Sequence, residues 1–292
     1  MFERVTRLLG PVLPRRFRGD IPVVPVVRLS GIIGFSTPLR PGLTISGVAR
    51  SLERAFKLRR AKAVALAINS PGGSAVQSAL IARRIRVLAT EKKVPVLAFI
   101  EDVAASGGYM IACAADEIVC DASSVVGSIG VIGGSFGFHR LIEKLGIERR
   151  IYTAGERKAM LDPFLPEKTE DVAHIKAIQQ DIHATFIGLV KARRGTALSG
   201  PEAVLFSGEY WAGRKAMEFG LVDRLGDLRS TLRERYGDDV ATPLIAAERG
   251  LFGRRIPGVG RTHVAEFSLW PGFAEEIVSA IETRALWARY GL

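Results

Sequence analysis

Short apolar runs alternate with amphipathic stretches along most of the chain. Residues 63–68 (AVALAI) and 94–100 (VPVLAFI) are almost uninterrupted apolar runs, which is typical of strands buried on both faces. Residues 45–61, 75–93 and 167–194 place apolar side chains every three or four positions, which predicts helices. This alternation of strand and helix predicts an α/β layered fold.

The same reading extends to the rest of the chain. Further strands are predicted at 21–35, 117–121, 125–134 and 148–154, with a helix near 138–146. The side chains expected on the core sides of the two longer helices are Val76, Leu80 and Leu88, and then Val172, Ile175, Ile182, Phe186 and Leu189. Changes in charge and in the apolar pattern divide the chain into three parts. We predict a basic N-terminal arm (1–21), a main domain (22–240), and a C-terminal linker with an amphipathic helix (241–292).

Charge is concentrated at the N-terminal end of the 292-residue chain. Residues 1–62 hold 13 Lys or Arg against 3 Asp or Glu, although the whole chain has a net charge of only +11. The arm suits either an anionic membrane surface or plain solvation, and both interpretations stay open. Nucleic-acid binding is not expected, because the basic region lacks interleaved aromatic residues.

The expected location follows from the apolar runs. None reaches 18 residues, so no transmembrane helix is predicted, and the first 20 residues do not read as a signal peptide. We therefore expect a protein that is cytoplasmic or peripheral at a membrane, without a transmembrane anchor.

Two cysteines, Cys113 and Cys120, are the only thiols in the sequence. Two isolated thiols form neither a disulfide framework nor a metal site. We expect both to be small core residues, and we expect no metal and no cofactor.

The most informative stretch is EDVAASGGYM at 101–110, in which Ser106 follows an apolar run and precedes two glycines. Ser106 is either a nucleophile on a sharp turn or a small residue that lets a helix start close to a strand. A nucleophilic serine needs a base. The histidines offer no obvious motif, although a Ser-His-Asp triad stays open because its members need not be adjacent in sequence. They are His139, His174, His183 and His263.

Lysine is the second candidate base. Lys158 lies in the loop AGERKAMLDPF. To act as a base, a lysine must be neutral, so its pKa must fall from the usual value of about 10.4 toward 7 or 8. Such a decrease requires an apolar site without paired carboxylates. Ser128, in VGSIGVI, can hold a neutral amine by a hydrogen bond without adding a charge.

An oxyanion hole is the third requirement. INSPGGS at 68–74 follows a buried strand and opens a helix. Gly72 and Gly73 allow backbone amides to approach a ligand, and the amide of Gly107, next to Ser106, is a natural second donor.

Together these segments resemble the signal peptide peptidase A family, also called protease IV. INSPGGS, EDVAASGGYM, VGSIGVI and AGERKAMLDPF match that family in order and spacing, and the similarity covers roughly residues 22–240 through FSGEYWAGRKAMEFGLVDRLGDL. The resemblance implies a Clp protease/crotonase-like spiral of strand-strand-helix units. It also implies a Ser-Lys dyad in which Ser106 is the nucleophile, Lys158 is the general base, Ser128 orients the lysine, and Gly107 with Gly72 or Gly73 forms the oxyanion hole.

The function expected from this resemblance is ATP-independent serine endopeptidase activity on hydrophobic peptides, such as remnants of signal peptides. Short members of the family form ring-like homo-oligomers, in which the serine and lysine can come from neighbouring copies. Two alternatives are a catalytically silent membrane-associated scaffold and a crotonase-type acyl-CoA enzyme. The second would need a carboxylate beside the glycine loops.

Overall fold

The computed structural model describes residues 21–34, 42–245 and, near the C-terminus, 284, 285, 287, 288 and 290. The predicted N-terminal arm lies outside these residues except for its last position. Most of the predicted terminal helix, including Phe273, Ile277 and Ile281, also lies outside them.

Seven strands form one sheet within the described ranges. They are β1 (Val26–Ser30), β2 (Val64–Ser70), β3 (Val96–Ala105), β4 (Glu117–Cys120), β5 (Val125–Gly127), β6 (Tyr210–Ala212) and β7 (Arg224–Leu225). The main path runs β1-β2-β3-β4-β7 with parallel pairing throughout. The first half of β3 pairs with β4 and its second half with β5, and β5 pairs antiparallel with β6.

Eight α-helices connect and cover these strands in the described part of the chain. They are α1 (Ile45–Lys57), α2 (Ala75–Lys92), α3 (Gly107–Ala112), α4 (His139–Lys144), α5 (Thr169–Arg194), α6 (Glu202–Leu205), α7 (Gly213–Glu218) and α8 (Leu228–Tyr236). Side-chain caps define two of the starts, because Thr44 accepts from the Gly47 amide before α1 and Ser74 accepts from the Gln77 amide before α2.

The sheet has a buried core on each face. Leu66 and Ile68 of β2 join the larger core, together with residues of α1, α2, α3 and α5. Ala65 and Ala67 of the same strand face a smaller core that includes Leu232 of α8. The prediction that the apolar runs are strands buried on both faces is therefore confirmed, and so is the α/β architecture.

Helix α2 exposes two side chains that were expected in the core. Val76 is 67% exposed and Leu80 is 37% exposed, whereas Leu88 is buried as predicted. Ile81 and Ile85 fill the core instead. This helix carries apolar residues on more than one side, so their spacing alone does not define the inward face.

Three strand predictions also differ from the structure. The strand predicted at 125–134 is limited to β5 (Val125–Gly127), and the next residue, Ser128, has a φ of 54°, which is not a strand conformation. Residues 148–154 form no strand among the described residues, because a strand needs a paired neighbour for its backbone groups. In contrast, β3 extends to Ala105, five residues beyond its apolar run. Glu101 and Asp102 interrupt the apolar pattern, but their carboxylates are bound by Arg28 of β1 and Asn69 of β2.

Candidate active site

Ser106 occupies the turn between β3 and α3 in a rare backbone conformation. Its φ is 52° and its ψ is −120°, a positive φ that a non-glycine residue adopts only when its surroundings enforce it. Its amide donates to the carbonyl of Gly127 at 2.8 Å, and its carbonyl accepts from the Met110 amide at 3.0 Å. The half-buried Ser106 side chain therefore stands on a turn fixed from both sides.

The glycines beside this turn are required by close packing. A Cβ on Gly72 would come within 2.8 Å of Ser106 Cβ and 2.9 Å of the Ala105 carbonyl oxygen. A Cβ on Gly107 would collide with Ser78 of α2, and one on Gly73 would collide with the Ile33 backbone. These contacts explain why small residues surround the serine, and they are compatible with either interpretation of Ser106.

The backbone amides of Gly72 and Gly73, the two glycines of the loop, differ in their surroundings. The Gly72 amide donates to Ser70 Oγ at 3.2 Å, so that donor is already engaged. Gly73 and Gly107 line the same pocket as Ser106. Their backbones therefore border the space beside the serine, whereas Gly72 is not among the described residues that line it.

Ser128 directly follows β5, the strand that pairs with the end of β3 before the Ser106 turn. It is 6% exposed, has a φ of 54°, and donates its amide to the Glu209 carbonyl at 2.6 Å. The hydroxyl of Tyr290 lies 3.3 Å from Ser128 Oγ and 3.4 Å from the Pro71 carbonyl oxygen. A C-terminal tyrosine thus takes the contact with Ser128 that the resemblance assigns to Lys158.

One pocket of about 630 Å³ joins these groups. Ser106, Ser128, Gly73, Gly107 and Tyr290 line it. The apolar side chains in its wall are Met110, Val131, Ile132, Ile182 and Phe186. No Asp or Glu is among the described residues that line it, so an unprotonated amine would meet no opposing carboxylate there.

Lys158 is not brought to this pocket within the chain. It is exposed, in a turn where its amide donates to the Gly155 carbonyl at 3.1 Å. It belongs to a surface segment, residues 131–168, which we call the lysine arm. The structure brings Ser106, Ser128, Gly73 and Gly107 together, with Gly72 packed behind them, and leaves Lys158 on the surface.

The lysine arm has its own internal contacts. The Phe138 and Phe164 rings lie 5.6 Å apart, and the Arg149 guanidinium stacks 4.9 Å from the Phe164 ring. The Phe164 amide and the Arg149 guanidinium hold the pKa of Asp162 below its ordinary value. The arm is therefore organised, although Phe136 and Ile132 are 78% and 75% exposed.

Two pocket residues were not selected by the sequence reasoning. His183 of α5 lines the pocket, and its Nε2 lies 3.0 Å from the Ile129 carbonyl oxygen. The helical spacing of Ile182 and Phe186 indicated which side of α5 is buried, but it did not show that His183 would contact the segment after β5. Tyr290 had no such signal. Of the other histidines, His174 is exposed, His139 is half-buried and His263 lies outside the described ranges.

The cysteines behave as predicted for core residues. Cys113 is 1% exposed and Cys120 is fully buried. Burial raises the pKa of each thiol to about 12, which keeps both in the unreactive thiol form at neutral pH. The described residues hold no cluster of three or more side chains suited to a metal ion.

Comparison with known proteins identifies the family. The model of peptidase family S49 matches residues 89–237, which is half of the chain, and the model of the NfeD1b N-terminal domain matches residues 37–137. The chain belongs to peptidase family S49. This confirms the resemblance, and the mostly parallel sheet with a core on each face agrees with the Clp protease/crotonase-like fold class.

Several individual proteins are similar. A protein named Na(+)/H(+) antiporter NhaA from Brucella abortus (strain 2308) is 53% identical over 98% of this chain and 39% of its own length. A candidate protease of Methanocaldococcus jannaschii is 33% identical over 66% of this chain and 63% of its own. The chloroplastic serine protease SPPA of Arabidopsis thaliana is 35% identical over 58% of this chain and 25% of its own.

The chain spans less than two thirds of the length of each of these relatives. A solved structure, that of a mutant of the 1510-N membrane-bound stomatin-specific protease, aligns with a TM-score of 0.47 at 17% identity, over 74% of this chain and 84% of that one. In the part of the chain described here, no helix combines the length and apolarity needed to cross a membrane.

Proposed function

We propose that this chain is an ATP-independent serine endopeptidase that cleaves short hydrophobic peptides with Ser106 and Lys158. The observation that carries the proposal is the convergence of Ser106, on its strained turn, with Ser128, Gly73 and Gly107 around one apolar pocket. Membership in a peptidase family supports the reaction class.

The proposed reaction uses these groups together with Lys158. Ser106 Oγ attacks the scissile carbonyl carbon while the neutral amine of Lys158 takes the hydroxyl proton. The amides of Gly73 and Gly107 stabilise the negative oxygen of the tetrahedral intermediate. The protonated lysine then gives its proton to the leaving amine, and water hydrolyses the acyl-enzyme to release the acid and restore Ser106.

Lys158 is supplied by a neighbouring copy in this proposal. The exposed position of Lys158 and its absence from the lining of its own chain's pocket support that arrangement. The lysine arm also exposes apolar side chains that a second copy would cover, namely Ile132, Phe136, Leu141, Leu145, Ile147 and Tyr152. Repeating this contact head to tail produces a ring.

The pocket supports an apolar, extended substrate. Met110, Ile132 and Phe186 offer apolar contacts to a side chain next to the scissile bond. A substrate strand would lie along the exposed backbone between the glycine loop and residues 128–131, as in other cases of β-strand addition. Remnants of signal peptides have this apolar character.

The two alternative functions, an acyl-CoA enzyme and a catalytically silent scaffold, require different residues at the site. An acyl-CoA enzyme of the crotonase type would need a carboxylate beside the glycine loops, and none of the described residues that line the pocket supplies one. A silent scaffold would not need Ser106 to react. Reaction with an acylating probe therefore separates the peptidase from the scaffold.

The test combines labelling and cleavage. A fluorophosphonate should label Ser106 in the folded protein, and the same protein should cleave apolar fluorogenic peptides. Lys158→Met should abolish both reactions, whereas Lys176→Met, an exposed lysine of α5, should abolish neither. A Lys158→Met protein that cleaves like the parent would refute the dyad, and an unlabelled parent would favour the scaffold.

We propose that the protein acts at a membrane surface. The basic excess in residues 1–62 supports attachment of the N-terminal arm to anionic lipid. The similarity to part of a protein named as an antiporter also supports a site near a membrane. Co-sedimentation with phosphatidylglycerol vesicles, but not with phosphatidylcholine vesicles, should be lost when residues 1–21 are deleted. Equal binding with and without the arm would contradict this attachment.

A further inference from the structure

His183 connects α5 to the segment that carries Ser128. Its Nε2 lies 3.0 Å from the carbonyl oxygen of Ile129, and Ile129 itself is fully buried. A buried carbonyl without a partner is costly. The half-buried histidine therefore satisfies a backbone group that faces away from bulk water.

The segment that His183 holds needs such support. Ser128 has a positive φ of 54°, and the Gly130 amide turns back to the Ser128 carbonyl at 3.0 Å. A strained conformation of this kind persists only when several contacts enforce it. The amide of Ser128 is bound by the Glu209 carbonyl on one side, and His183 binds the next residue from α5 on the other.

The contact also prevents Nε2 of His183 from acting as a base for Ser106. A carbonyl oxygen only accepts hydrogen bonds, so Nε2 must carry the hydrogen and donate it. That nitrogen has no free lone pair with which to take the Ser106 proton. Nε2–H is present in the neutral tautomer that this contact selects and in the imidazolium form, so the anchor does not require a particular charge on the ring.

The anchored backbone faces the pocket. Ser128, Gly130 and Val131 line it, as do His183, Ser106 and Gly73 of the glycine loop. We propose that His183 is a positioning residue that fixes residues 128–131 as the wall along which an extended peptide binds beside Ser106. This inference rests on the proposed peptidase function.

Two substitutions separate the hydrogen bond from the packing. His183→Met removes the donor and keeps an apolar side chain of similar length, while His183→Gln keeps an amide donor at the distance of Nε2. His174→Met, an exposed histidine on the same helix, is the matched control. Each protein is compared in cleavage of an apolar octapeptide, in labelling by a small fluorophosphonate, and in hydrogen–deuterium exchange of residues 125–133.

The expected pattern distinguishes positioning from chemistry. His183→Met should raise KM for the octapeptide about fivefold to tenfold and speed exchange in residues 125–133. The rate of labelling by the small probe should change much less than KM, because that probe does not bind along the wall. His183→Gln should restore both KM and slow exchange, and His174→Met should match the parent.

Other outcomes overturn the inference. Equal losses in cleavage and labelling would mean that His183 acts on the reaction at Ser106, and an unchanged KM would mean that the contact does not position the peptide. If the parent protein itself is not labelled, the proposed function fails and the positioning role fails with it. If the parent is labelled while His183→Met matches it in every measurement, only the positioning role fails.

Discussion

The α-carbon of Gly72 lies directly against the side chain of Ser106, so a methyl group added there would come within 2.8 Å of Ser106 Cβ. Gly72 also has a φ of 104°, which side-chain-bearing residues rarely adopt. The glycine loop and the serine turn are therefore packed as one unit, and the distance between Ser106 and the donors of Gly73 and Gly107 depends on that contact.

Replacing Gly72 with alanine should disable the site. The added Cβ would displace the Ser106 turn and strain the loop, and we expect labelling by a fluorophosphonate to fall about a hundredfold. Gly188→Ala, at an exposed position of α5, is the control, because a Cβ there has no neighbour within 4 Å. A Gly72→Ala protein that reacts at the parent rate would show that the contact does not control the nucleophile.

Tyr290 should control access to the pocket. Its hydroxyl contacts Ser128 Oγ, and its ring meets the Tyr210 ring edge-on at 4.9 Å between centroids. Tyr290→Ala should therefore speed labelling by a bulky fluorophosphonate several-fold and leave labelling by a small one unchanged. Tyr290→Phe keeps the ring and should react with the bulky probe at the parent rate. Identical rates for the alanine variant and the parent would refute this role.

The buried thiols should make stability fall at alkaline pH. Burial raises the pKa of Cys113 to about 12, whereas an unfolded cysteine ionises near 8.5. Between these values the unfolded chain loses a proton that the folded chain keeps. The free energy of unfolding should therefore decrease as pH rises, by up to about 1.4 kcal/mol per pH unit for each thiol.

Urea unfolding between pH 7 and 10 measures this effect. Cys113→Ala should show a shallower decrease than the parent above pH 8.5, while the two slopes should agree near pH 7. Equal slopes at alkaline pH would contradict the raised pKa of this thiol.

The ion pair of Arg194 and Asp223 should be the most costly to break. The Arg194 side chain is 7% exposed and makes two hydrogen bonds to the Asp223 carboxylate at 2.8 and 3.0 Å. Asp223→Ala would leave a buried guanidinium without its counter-ion, at a cost of about 3 kcal/mol in unfolding free energy.

An exposed pair is the control for that measurement. Arg150 and Glu148 are 68% and 70% exposed, so Glu148→Ala should cost less than about 1 kcal/mol in the same urea titration. Equal costs for the two alanine variants would contradict the difference in burial on which the prediction rests.

The pattern of apolar residues predicted most of the fold because buried parallel strands have a strong signal. The runs at 63–68 and 94–100 became β2 and β3, and the long periodic segment became α5 (Thr169–Arg194). The inward face of α2 was predicted wrongly at Val76 and Leu80, because these residues repeat at the same spacing as Ile81 and Ile85. Which of the two sets of apolar residues is buried depends on how the helix lies against the sheet, and the sequence of the helix alone does not show this.

The candidate site was predictable to the extent that its groups follow strand ends. Ser106 and Ser128 come from the paired strands β3 and β5, so both reach the same edge of the sheet. The division of the chain into 1–21, 22–240 and 241–292 stays a prediction, as do the catalytic roles. His183 and Tyr290 escaped prediction because their contacts join residues 54 and 162 positions apart in sequence.

Mixing two inactive variants tests the central claim most directly. Ser106→Ala supplies Lys158 without a nucleophile, and Lys158→Met supplies Ser106 without a base. If the dyad is shared between neighbouring copies, mixed assemblies should regain up to about a quarter of the parent rate on an apolar fluorogenic peptide, since one interface in four pairs the two intact residues. A mixture that stays inactive while labelled subunits demonstrably exchange would contradict a dyad formed by Ser106 of one copy and Lys158 of the next.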